Sequence, residues 1–493
     1  MEKIKKIIEA KSFHILLIVL GSILILSSAF FTELWYDESY TMGLVRHDFA
    51  QIVEIGSQDV HPILYYLMLK VFMIIFGDSI WVARLFSMIP AILTGILGYT
   101  HIRKDFENKV GILFSFLILA LPVMPSYGAE IRMYTWTLFF ATVSAIYAYR
   151  IAKDNKVKNW SLFAIFSLAT AHCHYYGLVA VAIMNALLLF HIIFTKNEEI
   201  RNIRKSYLIR FFITAIVQVL GYLPWLFIFF TQARTVSQGF WIPLNFRDSV
   251  LAPLAVQFHG VIGVDFSFIV AGIIYVYYIY QMIWNKLHKR KNTVVIYCLA
   301  VHLILYLSML LVSIVVKPIM YYRYMVVTTG ILIFPLAYFL ASSSTKIQKA
   351  IATFLVIIFL GLSIYDNSVR IKENYDISNG QEIQYIQEKY DEDTILVYSD
   401  IFLASSLAEQ LPDYNWCYYL GDNAMEVKPF ELCTKTVNSQ FLEEYHGKII
   451  LIDSEGTVAY QDMTNKYKLK EIEKKRIQIK YRGMIYHIII LEK

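Results

Sequence analysis

The sequence of 493 residues has little charge, little cysteine and few chain breakers. Only 17% of its residues are charged, against roughly 25% in an ordinary soluble domain. It is 57% hydrophobic and its mean hydropathy is +0.50. These values exclude a soluble globular chain and a disordered one. With 21 glycines it is not collagen-like, and with four cysteines it is no disulfide scaffold. It lacks a zinc-type pair of closely spaced cysteines, a Walker loop and a GxGxxG fingerprint, so no nucleotide cofactor has a visible site. What remains is a multi-spanning membrane protein with a smaller soluble part.

Uncharged runs long enough to cross a bilayer, about 20 residues, lie at 12–32, 85–102, 110–129, 133–149, 211–233, 266–285, 292–316, 324–345 and 350–365. A longer run at 159–195 holds two spans, broken at His172–Gly177. This predicts about 11 crossings. Two further apolar stretches, 62–77 and 249–264, either span or lie half-buried at the interface. The positive-inside rule decides the first. With Lys3, Lys5, Lys6 and Lys11 in the cytoplasm, the basic loops around residues 103–109, 150–158, 196–205, 286–291 and 346–349 all fall inside, provided that 62–77 does not cross. That stretch is therefore expected as an outer juxtamembrane helix, and the basic loops are topogenic, with no nucleic-acid role. The first run is too long for a signal-peptide core and is read as an uncleaved anchor.

This reading gives an all-α polytopic membrane domain over residues 1–365, with a first outer loop at 33–78. An extracytoplasmic α/β domain follows over 366–493. In the latter, strands are expected at 394–398, 448–452, 476–480 and 484–491, and helices at 381–390 and 403–411. Cys417 and Cys433 lie in this outer part, where a disulfide is permitted by compartment though not implied by spacing.

On this topology the unusual polar residues gather at the outer face. Asp37-Glu38 follows the first span, and Asp59-Val60-His61-Pro62 opens the juxtamembrane stretch. Arg84 enters the next span. Glu130-Ile131-Arg132-Met133-Tyr134, His172 with His174, and Lys317 through Tyr324, including Arg323, complete the set. Ionisable groups beside hydrocarbon are candidate functional residues. A carboxylate serves as a general base, arginines and a histidine hold a phosphate, and aromatic rings stack on a sugar or line a lipid tail. Together they suit transfer from a lipid-linked phosphate at the outer surface.

The Asp-Glu pair, the Asp-Val-His-Pro run and Arg84 followed by Pro90 resemble the protein O-mannosyltransferase and aminoarabinose transferase family of GT-C glycosyltransferases. The resemblance covers roughly residues 10–340, and the second proline of the family's Asp-Val-His-Pro-Pro run is Ile63 here. It implies the GT-C fold and a polyprenyl-phosphate donor of a hexose or pentose. It further implies inversion at the sugar, with Asp37 as catalytic base and Glu130 as the second acid. His61, Arg84 and Arg323 are the expected phosphate ligands. In some GT-C members the two acids bind a divalent metal, which makes Asp37 and Glu130 candidate ligands for Mg or Mn; in others none is needed. The acceptor is a lipid, polymer or protein.

Each candidate also has a plainer reading. Glu38 positions the acceptor or pairs with an arginine. Asp59 lines the cavity or favours a helix N-terminus. Arg84 binds phosphate, pairs with an acid or snorkels. Glu130 and Arg132 belong to the site or form an ion pair. His172 and His174, two apart, share a face only in an extended segment, and lining a cavity is expected of them before metal binding. The rival function is a transporter or flippase of a lipid-linked sugar, which calls for polar residues at mid-bilayer.

Overall fold

The computed structural model describes residues 10–493 except 240, 262 and 422–426. Lys3, Lys5 and Lys6, used above for orientation, lie outside the described residues. The helices relevant to the argument are α1 (Lys11–Leu26), α2 (Tyr36–Arg46), α3 (Phe49–Ser57), α4 (Leu64–Phe76), α5 (Ile80–Leu97), α6 (Asn108–Ala120), α7 (Val123–Ala129) and α8 (Tyr134–Lys153). They continue with α9 (Val157–Cys173), α10 (Tyr175–Phe194), α11 (Arg204–Gln238), α12 (Val264–Leu287), α13 (Thr293–Val315), α14 (Thr329–Ala341) and α15 (Lys346–Asn374).

Helices overlap every predicted span, but not as 11 uniform crossings: 110–129 is divided between α6 and α7, 324–345 opens with a 3-10 segment before α14, and α1, α8 and α9 are not among the helices that qualify as spans by length and apolarity. Among the described residues seven helices are long and apolar enough to cross a membrane, or eight when the bent pair α6 and α7 counts as one span. That pair is bent by 58°, where Leu121 leaves the helical region and Pro122 caps α7, since proline cannot donate into the preceding turn. The stretch 62–77 forms the 13-residue α4. Among the described residues of the stretch 249–264, a π turn (Phe246–Leu251), one α turn (Ala252–Ala255) and a 3-10 turn (Val256–Phe258) succeed one another in place of a continuous helix.

The chain forms two compact units. One comprises 1–27, 57–65 and 85–368; the other comprises 28–56, 66–84 and 369–493. The sequence division at 365/366 follows composition, whereas the second unit also takes in most of the first outer loop.

Within the first unit, helices pack through small residues and interhelical hydrogen bonds, the usual glue where lipid supplies no hydrophobic drive. A Cβ on Gly98 would meet the Gly111 carbonyl at 2.5 Å, so only glycine permits this approach. His14 Nε2 and Ser115 Oγ lie 2.8 Å apart, and Ser115 donates to the Gly95 carbonyl.

The second unit carries a six-stranded sheet. Its elements after α15 are α16 (Gln381–Lys389), β1 (Thr394–Tyr398), α17 (Ile401–Gln410), β2 (Trp416–Tyr419), β3 (Thr434–Val437), β4 (Lys448–Ile452), β5 (Lys470–Gln478) and β6 (Ile485–Glu492). The strand order is β3-β2-β1-β4-β6-β5. The first four strands are parallel, and β6 and β5 add an antiparallel hairpin. β1 is buried throughout and β4 nearly so, which is why both read as continuous apolar runs. The core joins Val397, Cys417, Leu451 and Ile489. Cys417 and Cys433 are separate free thiols, and Cys433 Sγ instead lies 3.2 Å from Glu409 Oε1.

Candidate functional site

In the second unit, α2 opens directly after Trp35, with Tyr36, Asp37 and Glu38 as its first residues. Carboxylates there are favoured by the helix dipole. Glu38 folds back to accept from the Trp35 amide at 3.4 Å, half of a capping box. Its two oxygens also take a bidentate bond from Arg84, at 2.6 and 3.2 Å. Tyr481, 443 residues further along the chain, donates to Glu38 Oε2 at 3.1 Å. Arg84 is 1% exposed and donates in addition to the Phe31 and Glu33 carbonyls, with its guanidinium 3.7 Å from the Phe31 ring centre. The phosphate role expected of Arg84 is not what these contacts support: its donors are committed to Glu38 and two backbone carbonyls. Burial, then the Glu38 charge, pushes the Tyr481 pKa up, so its hydroxyl remains a donor. Asp37 is half-buried beside this anchor, and its carbonyl accepts from Thr41.

The rest of α2 is seated on the sheet's own elements. The Tyr36 and Phe402 rings lie 4.5 Å apart. Arg46 pairs with Glu409 and also reaches its carbonyl. A Cβ on Gly43 would meet Glu409 Oε1 at 2.9 Å. Burial raises the Glu409 pKa to about 7, against the opposing pull of Arg46.

The first unit holds a different cluster. His61 and His174 stand with ring centres 5.4 Å apart. Tyr134, Tyr176 and Tyr324 surround His174 at 6.0, 5.7 and 4.9 Å. The Arg323 guanidinium lies 5.0 Å from the Tyr321 ring centre and 5.7 Å from that of Tyr134. Arg132 and Arg323, 4% and 8% exposed, act on both histidines through their charge. Burial first, and these arginines next, hold the His174 pKa down to about 3 and that of His61 well below the ordinary value. Both imidazoles are therefore neutral near pH 7. His174 Nδ1 accepts from the Tyr176 amide at 3.1 Å, capping α10, which places its proton on Nε2. His174 Nε2 and His61 Nδ1 are buried without a hydrogen-bond partner among the described residues.

Glu130 terminates α7 and is buried. The Arg132 amide bonds back to its carbonyl at 2.7 Å, a tight turn that sets both side chains at the mouth of α8. Asp59 is half-buried in the turn before α4.

His172 faces elsewhere. Its Nε2 lies 3.2 Å from the Gly221 carbonyl of α11, and its ring packs on Tyr222. Helix α9 ends between the two histidines and sends them apart. Among the described residues no group of three or more His, Cys, Asp or Glu side chains is placed to hold a metal ion. Asp37 and Glu130 belong to separate units.

Two features escape sequence reasoning. Tyr134, Tyr176 and Tyr324 are indistinguishable by sequence from an interfacial aromatic belt, although Tyr134 and Tyr324 adjoin the Glu130–Arg132 and Arg323 motifs. His302, deep in α13, joins Thr328 at 2.7 Å and Tyr275 at 3.0 Å, an internally satisfied network inside the spans.

A family model described as dolichyl-phosphate-mannose-protein mannosyltransferase matches residues 60–225. Among solved structures, ArnT from Cupriavidus metallidurans in the apo state aligns with a TM-score of 0.55 at 12% identity, covering 97% of each chain. The same protein bound to undecaprenyl phosphate aligns with a TM-score of 0.57 at 11% identity, covering 98% of each. The likeness is one of fold, and it runs through the C-terminal segment, for which the sequence offered no resemblance. No curated protein sequence matches the chain.

Proposed function

We propose that the chain is a membrane glycosyltransferase of the GT-C superfamily that takes its sugar from a polyprenyl phosphate, a reading supported by the family-model match and the likeness of fold. The observation that carries the reading is the buried cationic cluster of the first unit. Two buried guanidinium groups and two neutral imidazoles with unoccupied ring nitrogens, walled by tyrosines, suit a phosphate joined to a sugar. The relative bound to undecaprenyl phosphate agrees with a lipid-phosphate donor.

In the mechanism proposed, Arg132 and Arg323 hold the donor phosphate by charge, and the Nε2–H of His174 donates to one of its oxygens. His61 supplies a second neutral contact. Asp37 accepts the proton of the acceptor nucleophile. The nucleophile attacks C1 of the sugar from the face opposite the phosphate. The C1–O bond breaks, and its electron pair leaves with polyprenyl phosphate, an anion stable enough to need no strong general acid. The sugar is passed on with inversion. Glu38 contributes by fixing the first turn of α2, on which Asp37 stands. The N-terminus lies in the cytoplasm and the chemistry takes place at the outer face.

The test is release of free polyprenyl phosphate by the purified protein in liposomes supplied with a panel of polyprenyl-phosphate sugars and membrane extract as acceptor. Release that disappears in Asp37→Asn, with donor binding kept, supports the reading. Wild-type turnover in that variant overturns the base assignment. No release with any donor overturns the transferase reading in favour of a transporter of the lipid-linked sugar.

A further inference from the structure

A cavity of about 410 Å³ lies between α8, α10, α13 and α14, within the first unit and apart from the histidine cluster. Its walls come from one face of each helix. Ala145, Ala148 and Ala152 line it from α8, Leu188 from α10, and Val294 and Val301 from α13. The alanine face of α8 creates the space: three adjacent positions at helical spacing carry a single methyl group each. The lining is mostly apolar, and the volume falls within the roughly 300–1,000 Å³ of ligand sites.

The mouth is polar and basic. Lys153 closes α8, Thr195 and Asn197 follow the end of α10, and Lys291 precedes α13. Both lysines are exposed. The first-turn amides of α13, a helix of 23 residues, face the same end, and such amides favour an anion. His191 Nδ1 and Tyr297 Oη, 3.3 Å apart, mark the depth at which the lining turns apolar. This end carries the basic loops that the positive-inside rule assigns to the cytoplasm.

We propose that this cavity binds one acyl chain of an anionic phospholipid of the inner leaflet, with the headgroup phosphate held by Lys153, Lys291 and the N-terminus of α13. Basic pockets between spans on the cytoplasmic side select such headgroups. The site is distinct from the donor cluster and depends only on the chain being a membrane protein, not on its catalysing glycosyl transfer. Its occupant fills a gap that a dry helix bundle would otherwise leave unpacked, so it acts as a structural lipid.

The test uses full-length protein stripped of lipid in detergent and titrated with phosphatidylglycerol or with phosphatidylcholine of the same chains, with bound copies counted by native mass spectrometry. One phosphatidylglycerol is expected to saturate the site, with at least tenfold preference over phosphatidylcholine. Lys291→Glu, an exposed substitution, should weaken it about tenfold, and Ala148→Phe should abolish it by filling the cavity. Cys298 lines the same cavity, so phosphatidylglycerol should also shield its thiol from maleimide in the unmodified protein. Equal binding of the two lipids, wild-type binding by Ala148→Phe, or unshielded Cys298 at saturation would each overturn the proposal.

Discussion

The Glu38–Arg84 pair and the Arg132–Arg323–His61–His174 cluster are both buried and both charged, yet they differ in how their polar atoms are bonded. In the first, each charge meets its complement: Glu38 accepts from Arg84, Tyr481 and the Trp35 amide, and Arg84 also covers two carbonyls. In the second, burial first and the two arginines next lower the pKa of both histidines, and one ring nitrogen of each has no hydrogen-bond partner among the described residues. A buried charge by itself therefore does not mark a site. A constellation whose donors and acceptors answer one another holds the fold, whereas the buried ring nitrogens of His61 and His174 are what the proposed donor site uses.

The largest effect expected from this contrast is on stability. Glu38→Ala strands a buried guanidinium, and breaking such a pair from one side costs about 3–5 kcal/mol. Thermal unfolding in detergent should fall steeply, and adding Arg84→Met should restore part of the loss. Full stability of Glu38→Ala would mean that the pair is not closed. Next comes Tyr481→Phe, which removes one hydrogen bond to a charged group, worth about 1.5–3 kcal/mol. Its unfolding midpoint should drop less than that of Glu38→Ala, and the double variant should show less than additive loss.

Arg323→Ala should do the reverse. The donor KM should rise about tenfold, equivalent to about 1.4 kcal/mol, while the unfolding midpoint falls less than in Glu38→Ala. A variant that unfolds yet binds donor normally when folded would place Arg323 among the structural charges.

The smallest effect is on pH response, and its sign differs between the units. With folded pKa values below that of the unfolded chain, His61 and His174 lose stability as pH falls through about 6.5, because the unfolded chain takes up protons that the folded one refuses. In the second unit burial raises the carboxyls of Glu382 and Glu409 to about 7 and that of Asp453 to about 6. Their contribution is full in acid and declines as pH rises from about 4 to 7. Hydrogen exchange at pH 5 and pH 8, corrected for intrinsic rates, should show the sheet better protected in acid and the histidine cluster less so. Equal changes in both units would break the contrast.

Much of this was legible from patterns of local extent. β1 and β4 are apolar, β-branched and bounded by turns, and the predicted residues match the observed strands. The strand expected at 476–480 begins earlier, at Lys470, because its charged first half belongs to a hairpin edge rather than to the core. β2 and β3, four residues each, are too short for alternation to register. The ionisable residues at helix ends were found because hydrocarbon makes them conspicuous. An acid–arginine pair was among the plainer readings of Glu38 and Arg84, but nothing in the sequence selects it: they are 46 residues apart and Tyr481 is 443 from Glu38, distances over which no periodicity operates. Hence Arg84 was expected at the phosphate, while Tyr134, Tyr176 and Tyr324 stayed hidden among other interfacial aromatics.

The hairpin at the end of the sheet has a consequence for life in a crowded envelope. β5 is one of the two edge strands, and Lys470, Glu471, Glu473, Lys474, Lys475 and Arg476 crowd its length, with a bulge between Glu471 and Glu473. An exposed strand normally invites a foreign strand to dock. Here an incoming neighbour would have to pack against a row of charged side chains and meet an interrupted register. The charged, bulged edge thus keeps the folded sheet from being extended by a foreign strand.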